Sequence, residues 1–305
     1  MFDLIIIGGG PAGMSAGIYA GRKKLNTLIV SKDFTGQVGK AFTLENYPGI
    51  KKIKGMELAG KFEEHLKKFM VDLNTGEEVT KIDKKKDHFE IKTTEGDRYF
   101  GKAVIIASGA NPRHLKVPGE ERFLGKGVSY CTICDAPLFK DKVVAVIGGG
   151  NSGIEAALDL RKHAKKIYVF EFSSELKADE AIVEEAEKDS KIEIILSATV
   201  KEIKGNKKVE SIIYQERESK KEKEVPLEGV FVQIGYVPTG SFAEGLVDFT
   251  KKGEIKIDHK TNQTKTKGLF AAGDVSSVLY KQVIIAAGEG AKAALSAYDY
   301  LEKNK

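Results

Sequence analysis

Two α/β domains, the second inserted into the first, are predicted by three observations. An apolar strand, a glycine-rich turn and a helix recur at residues 4–21 and 143–160, the chain is 305 residues long, and proline and glycine mark two crossings between the halves. A chain of this length exceeds the size at which one hydrophobic core keeps growing, so two cores are expected. Pro112, Pro118 and Gly119 mark the first crossing and Pro238 to Gly240 the second, giving one domain of residues 1–112 and 241–305 and an inserted domain of 113–240.

The first copy opens with the strand-like Leu4-Ile5-Ile6-Ile7, turns through Gly8-Gly9-Gly10-Pro11-Ala12-Gly13, and continues as a helix through Ala16, Ile18, Tyr19 and Ala20 to a second strand at Thr27 to Val30. The second copy repeats this with Val143 to Ile147, then Gly148-Gly149-Gly150-Asn151-Ser152-Gly153, a helical run from Ile154 to Leu160, and a strand at Ile167 to Phe170. In this pattern the first glycine permits a tight turn, the second lets backbone approach a pyrophosphate, and the third allows close packing of helix on strand. The helix start offers free N–H groups to an anion. Both domains are therefore expected to be Rossmann-like, with Gly8, Gly10, Pro11, Ala12 and Gly13 at one nucleotide site and Gly148, Gly150, Asn151, Ser152 and Gly153 at the other. The chain closes in a helix from about Gln282 to Leu301, where Gly288 and Gly290 suit either approach to a cofactor or close helix packing.

In such folds an acid about 20 residues past the glycines hydrogen-bonds the adenosine ribose. The second copy has Glu171 there, eighteen residues after Gly153, whereas the first has Ser31, so ribose recognition in the first site must differ. A 2′-phosphate carries about −1.5 to −2 charges near neutral pH. At roughly 5 Å, with an effective dielectric of about 20, Glu171 would repel each unit of that charge by ~3 kcal/mol. No arginine lies nearby in sequence and the nearest candidate cation is Lys177, so NADH is expected in preference to NADPH.

The only two cysteines are Cys131 and Cys134. Random placement puts a pair three apart in roughly one case in 150, so the Cys-x-x-Cys spacing is informative. Such a pair lowers one thiol's pKa toward neutrality and supports thiol exchange. Structural zinc takes four protein ligands, and none of His65, His88, His114, His163 or His259 lies within twenty residues beyond the pair or ten before it, so no metal is expected. A structural disulfide in so short a loop constrains little of the unfolded chain. Asp135 follows directly, and a carboxyl beside a thiol is a candidate general acid and base.

Charged residues make up 30% of the chain, and no stretch reaches the roughly 18 apolar residues of a membrane span, so no membrane association is expected. Met1 runs straight into Phe2-Asp3-Leu4-Ile5-Ile6-Ile7 without a basic and apolar leader, which predicts a cytoplasmic protein. The net charge of +5 is spread along helix surfaces and hairpins. Lys84-Lys85-Lys86 and Lys220-Lys221 lack interleaved aromatics, so no nucleic-acid partner is expected.

Taken in order, Gly8 to Gly13, Cys131-Thr132-Ile133-Cys134-Asp135, Gly148 to Gly153 and Gly273-Asp274 resemble the low-molecular-weight thioredoxin reductases, the class II pyridine nucleotide-disulfide oxidoreductases. Gly36-Gln37, Glu45-Asn46-Tyr47-Pro48-Gly49, Ala107-Ser108-Gly109 and Ile234-Gly235 extend the likeness over nearly the whole chain. The second half is closer to the flavoprotein component of bacterial alkyl hydroperoxide reductase, in Asn151 to Ala157, Glu171-Phe172, Leu176-Lys177-Ala178-Asp179 and Gly288 to Lys292. That enzyme carries an additional N-terminal disulfide domain, and a first glycine turn as early as Gly8 predicts a separate protein as electron acceptor here.

The resemblance implies three-layer ββα domains, FAD in the first and NAD(P)H in the second. It implies hydride transfer to the flavin, reduction of a Cys131–Cys134 disulfide with Cys134 as the flavin-facing sulfur, and exchange with a small protein disulfide such as thioredoxin. It assigns Asp274 to the FAD ribityl chain, Gln282 and Val283 to the flavin ring with Lys281 beside them, and Gly36, Gln37, Asn46 and Gly273 to the FAD site. Ile234 and Gly235 go to the nucleotide site. A domain rotation and a homodimer are implied as well. Two departures stand out: Phe170-Glu171-Phe172 replaces the family's arginine-bearing motif for the 2′-phosphate, and Thr132, expected to tune little, replaces its usual alanine. A glutaredoxin-like or peroxiredoxin-linked acceptor, a ferredoxin donor and a non-enzymatic flavin sensor stay open as alternatives. A ferredoxin-NAD(P) reductase of similar fold would need no Cys-x-x-Cys pair.

Overall fold

The first apolar run forms β1 (Phe2–Ile7), and Pro11 opens α1 (Pro11–Arg22) at the helical position where a missing N–H matters least. There follow β2 (Thr27–Ser31), α2 (Gly55–Leu66), β3 (Val71–Thr75), β4 (Val79–Lys84), β5 (Phe89–Thr93), β6 (Arg98–Ile106) and β7 (Ala110–Pro112). The inserted segment comprises β8 (Val128–Ser129), α3 (Thr132–Asp135), β9 (Val143–Ile147), α4 (Asn151–Leu160), β10 (Lys166–Phe170), α5 (Glu180–Glu187), β11 (Ile192–Ile195), β12 (Ala198–Gly205), β13 (Val209–Glu216), β14 (Glu222–Pro226) and β15 (Gly229–Val232). The chain returns through β16 (Tyr236–Pro238) and β17 (Leu269–Ala271) and ends in α6 (Val283–Lys303). The computed structural model describes residues 1–41 and 44–304.

Contacts divide the chain into two units, Met1–Asn111 with Val237–Lys305, and Pro112–Tyr236. The second crossing falls before Pro238, so residues 237–240 belong with the first unit rather than with the insertion. The Thr239 N–H donates to Gly109 O at 3.0 Å and Ser108 Oγ donates to Thr239 O at 2.5 Å, tying that segment to the end of β6. At the other crossing Pro112 opens the second unit, and the Arg113 N–H donates to Gly235 O at 2.9 Å.

In the first unit the sheet order is β3-β2-β1-β6-β5-β4, and β17 pairs with the C-terminal half of β6. Strands β3, β2, β1, β6 and β17 run parallel, while β5 and β4 extend the sheet antiparallel. Alternation along β1 splits the core: Leu4 and Ile6 meet Met14 and Ile18 of α1 and Ala293 and Ala297 of α6, whereas Ile5 and Ile7 meet Phe89, Ile91 and Val275 on the other face. A Cβ at Gly290 would stand 1.9 Å from Ala12 O, while one at Gly288 would meet nothing within 4 Å. Gly290 is therefore required by the approach of α6 to α1.

The second unit repeats the plan with a parallel sheet, β11-β10-β9-β15-β8, and a separate antiparallel sheet, β12-β13-β14. Val144 and Val146 of β9 pack under α4 and α5, and Ala145 and Ile147 pack against Val200, Ile203, Val209 and Ile212 of the antiparallel sheet. Helix, parallel sheet and antiparallel sheet make the three ββα layers.

Candidate functional site

The two glycine turns are near copies in space. Gly8 has φ +114° and Gly148 φ +121°, a region that residues with a side chain rarely adopt. A Cβ at Gly13 would sit 1.8 Å from Gly8 O, and one at Gly153 1.9 Å from Gly148 O, so the third glycine of each turn is demanded by contact with the first. At Gly10 and Gly150 a Cβ would meet nothing within 4 Å, so open space faces each helix start. Neither α1 nor α4 has a side-chain cap, which leaves their first N–H groups for an anion.

Each turn is held by the residue that closes the second strand, with different chemistry. The Gly9 N–H donates to Ser31 Oγ at 2.8 Å, and the Gly149 N–H donates to Glu171 Oε2 at 2.6 Å. Glu171 Oε1 also accepts the Ser173 N–H at 2.8 Å, so the carboxylate is fixed through both oxygens and keeps lone pairs for a further donor such as a ribose hydroxyl.

In front of the first turn lies a cavity of about 700 Å³, lined by Gly8, Gly10, Pro11, Ala12, Gly36, Gln37, Gly273 and Asp274 among the residues expected from sequence, and also by Ser31, Asp33, Ser108 and Thr239. Burial opposes ionisation of Asp33, but the Gly36 and Thr35 N–H groups and the Thr35 hydroxyl outweigh it and hold the carboxyl below its ordinary range. Burial pushes the Asp274 carboxyl up, partly opposed by Lys281. Five expected residues stand outside this lining: Gly13, which packs under Gly8, and Asn46, Lys281, Gln282 and Val283. Asn46 Nδ2 donates to Gln282 Oε1 at 3.1 Å, Lys281 is paired with Glu254 at 3.0 Å and donates to Ser276 O, and Val283 packs beside Val38 and Leu44. An uncapped helix start, an open cradle at Gly10 and acidic acceptors at the walls fit a dinucleotide such as FAD, and the volume lies in the range of cofactor pockets.

The cysteine pair is a disulfide, with Cα atoms 5.3 Å apart. The Cys134 N–H donates to Cys131 Sγ at 3.3 Å, an interaction that favours a thiolate there once the bond is reduced. Asp135 is held by Ser129, whose Oγ donates to Asp135 Oδ2 at 2.6 Å and accepts the Cys131 N–H at 3.0 Å. Burial raises the Asp135 carboxyl, and the Ser129 hydrogen bond partly offsets this. The Thr132 hydroxyl is buried and accepts from Gln233 Nε2 at 3.2 Å, which also reaches Tyr130 O, so Thr132 anchors the loop. The Tyr130 hydroxyl donates to the buried Glu120 at 2.8 Å. No group of three or more His, Cys, Asp or Glu residues placed to hold a metal exists among the described residues.

Around the second turn, Asn151 exchanges hydrogen bonds with Asp179 at 2.8 and 2.9 Å, and Ser152 is exposed at the start of α4. Gly235 has φ +97° beside the partly buried Ile234. The Lys177 N–H donates to Gly149 O at 2.9 Å. The cation beside the Glu171 segment is one that sequence distance concealed: the Arg217 guanidinium lies 3.9 Å from the Phe172 ring centroid and donates to Phe172 O at 3.0 Å. Sequence reasoning also passed over Ser129, although its place two residues before Cys131 is a local signal.

The family model for pyridine nucleotide-disulphide oxidoreductases matches residues 2–290, almost the whole of both units. The chain belongs to that family. Within this oxidoreductase family it is 38% identical to a thioredoxin reductase from Streptococcus pyogenes MGAS5005, whose crystal structure matches over 99% of both chains with a TM-score of 0.95. It is 46% identical over 303 residues to the protein named NADH dehydrogenase of Bacillus subtilis (strain 168), covering 99% of this chain and 59% of that relative. It is 44% identical over 304 residues to the F component of the alkyl hydroperoxide reductase of Pseudomonas putida, covering 98% of this chain and 58% of the relative. The chain thus spans less than two thirds of the curated relatives it matches. No helix among the described residues is long and apolar enough to cross a membrane.

Proposed function

We propose that the chain is a flavoenzyme that takes an electron pair from NADH, in preference to NADPH, and delivers it through FAD and the Cys131–Cys134 disulfide to a small protein disulfide such as thioredoxin. The observation that carries this reading is a Cys-x-x-Cys disulfide with an acid locked beside it, in a chain that also builds two dinucleotide cradles. The full-length likeness to a thioredoxin reductase supports the acceptor, and the name of the Bacillus subtilis relative supports the donor.

Gly8, Gly10, Pro11, Ala12, Gly36, Gln37 and Asp274 would hold FAD, which supplies the electron pair drawn from the nicotinamide. Gly148, Gly150 and Gly153 would receive the pyrophosphate of NADH, and Glu171 the ribose hydroxyls. Reduction of the disulfide consumes two electrons and yields a thiol pair. The Cys134 N–H favours the thiolate at Cys131, which attacks the acceptor disulfide, and Cys134 then resolves the mixed disulfide. Asp135 handles the proton that each thiol must gain or lose.

A second reading rests on the 44% identity to the alkyl hydroperoxide reductase component: the acceptor is then a glutaredoxin-like or peroxiredoxin-linked carrier. We also propose a homodimer, checked by gel filtration against the 33.3 kDa chain, and a cytoplasmic setting, where both cysteines serve exchange. Anaerobic titration of the yellow protein with NADH and NADPH, followed by added thioredoxin, tests the main reading. Flavin bleaching at far lower NADH than NADPH with thioredoxin reduced is expected. Bleaching by neither nucleotide overturns the donor and points to ferredoxin, and bleaching without thioredoxin reduction favours the second acceptor.

A further inference from the structure

Glu171 and Phe172 extend the end of β10, the place in this fold where the adenosine half of a dinucleotide lies. Glu171 faces the glycine turn through its bond to the Gly149 N–H. Phe172 is 56% exposed, yet it does not stand alone. Arg217, at the hairpin that follows β13, is anchored to this segment directly by its side chain and, through Ser197, by its backbone. Its N–H donates to Ser197 O at 2.8 Å, the Ser197 N–H donates to Ser173 O at 2.8 Å, and its own Nη1 donates to Phe172 O while the guanidinium covers the ring. Arg217 is exposed and takes part in no ion pair among the described residues, so the guanidinium is held in place with donors to spare. A guanidinium fixed on an aromatic ring offers a flat cationic face to a purine and forked donors to a phosphate.

We propose that Arg217 is a specificity-determining residue of the nicotinamide nucleotide site: with Phe172 it forms a ledge for the adenine ring, and it is the cation whose attraction for a 2′-phosphate Glu171 cancels. The proposal rests on the reading that the second unit binds a nicotinamide nucleotide. It explains why an acid and an arginine occur side by side here. Removing Glu171 alone would then convert the ledge toward the 2′-phosphorylated ligand, and removing Arg217 alone would weaken both ligands.

The test uses the flavin-loaded protein and two unreactive probes, ADP-ribose and its 2′-phosphate, with binding read by calorimetry. Arg217→Ala is expected to weaken ADP-ribose about three- to fivefold, the size of an exposed guanidinium–aromatic contact. Glu171→Gln is expected to strengthen the 2′-phosphorylated probe by on the order of tenfold or more, and adding Arg217→Ala is expected to remove that gain. In the Glu171→Gln background, Arg217→Lys should retain part of the gain for the phosphate, because charge survives without the planar face. An unchanged ADP-ribose affinity in Arg217→Ala, or a gain that persists in the double variant, overturns the proposal while leaving the nucleotide site intact. Failure of the wild-type protein to bind either probe overturns the nucleotide reading itself.

Discussion

Ser129 Oγ donates a 2.6 Å hydrogen bond to Asp135 Oδ2 and accepts the N–H of Cys131, so one buried hydroxyl joins the candidate acid to the first cysteine of the redox pair. The acid's orientation and the backbone of the disulfide loop are set by the same atom.

Asp135→Asn should lower thioredoxin reduction by about 100-fold, the low end of general acid-base contributions, without changing flavin reduction by NADH. The sign of the pH dependence follows from burial, which raises the Asp135 carboxyl above its ordinary value. The proton is present below that raised value and lost as pH rises through it, so the wild-type rate should fall along that limb and the Asn variant should lack it. Stability has the same sign: the raised group's contribution is complete below the unfolded pKa and is lost as pH rises through the folded one. Rate profiles and melts of both proteins from acid to neutral pH check these statements.

Ser129→Ala removes the one interaction that pulls the Asp135 pKa down. The alkaline limb of the profile should therefore move to higher pH. An unpaired Cys131 N–H and carboxylate oxygen should lower stability by about 1–3 kcal/mol, read from denaturant unfolding. An unmoved limb would separate Ser129 from the acid.

Cys134→Ser should keep flavin bleaching by NADH and lose disulfide reduction. If the variant still reduces thioredoxin at the wild-type rate, the role proposed for Cys134 is wrong.

Gly13→Ala and Gly153→Ala each force a Cβ against the carbonyl oxygen of the first glycine of the same turn, Gly8 at 1.8 Å and Gly148 at 1.9 Å. Each should lower stability by about 1–3 kcal/mol. Their functional losses should differ: Gly13→Ala is expected to purify with little flavin, and Gly153→Ala with normal flavin and weakened NADH binding. Absorbance at purification and nucleotide titration distinguish them.

The repeated strand, glycine turn and helix could be read from the chain alone because turn chemistry is local. A positive φ at Gly8 and Gly148, a proline at the start of α1 and a third glycine under each helix are requirements among neighbours within six residues. The cysteine pair was legible for the same reason, as were the acid beside it and the contrast between Ser31 and Glu171. What a helix edge says less clearly is where it stops: α6 runs to Lys303, two residues beyond the apolar pattern, and α4 begins at Asn151, three residues before it.

Only the tertiary structure decided which distant residues share a site. Asp33 and Asp274 meet one cavity across 241 residues of sequence, and Thr239 draws the second crossing into the first unit through its bond to Gly109. Arg217 reaches Phe172 across 45 residues because the hairpin after β13 packs back over the end of β10. Gly290 is set by α1, not by a ligand. Apart from Asp274 and the approximate second crossing, which the sequence had marked, these relationships have no sequence signature, because each follows from how strands register and helices pack. Local residues thus specified the turns and the redox pair, and packing alone specified the company they keep.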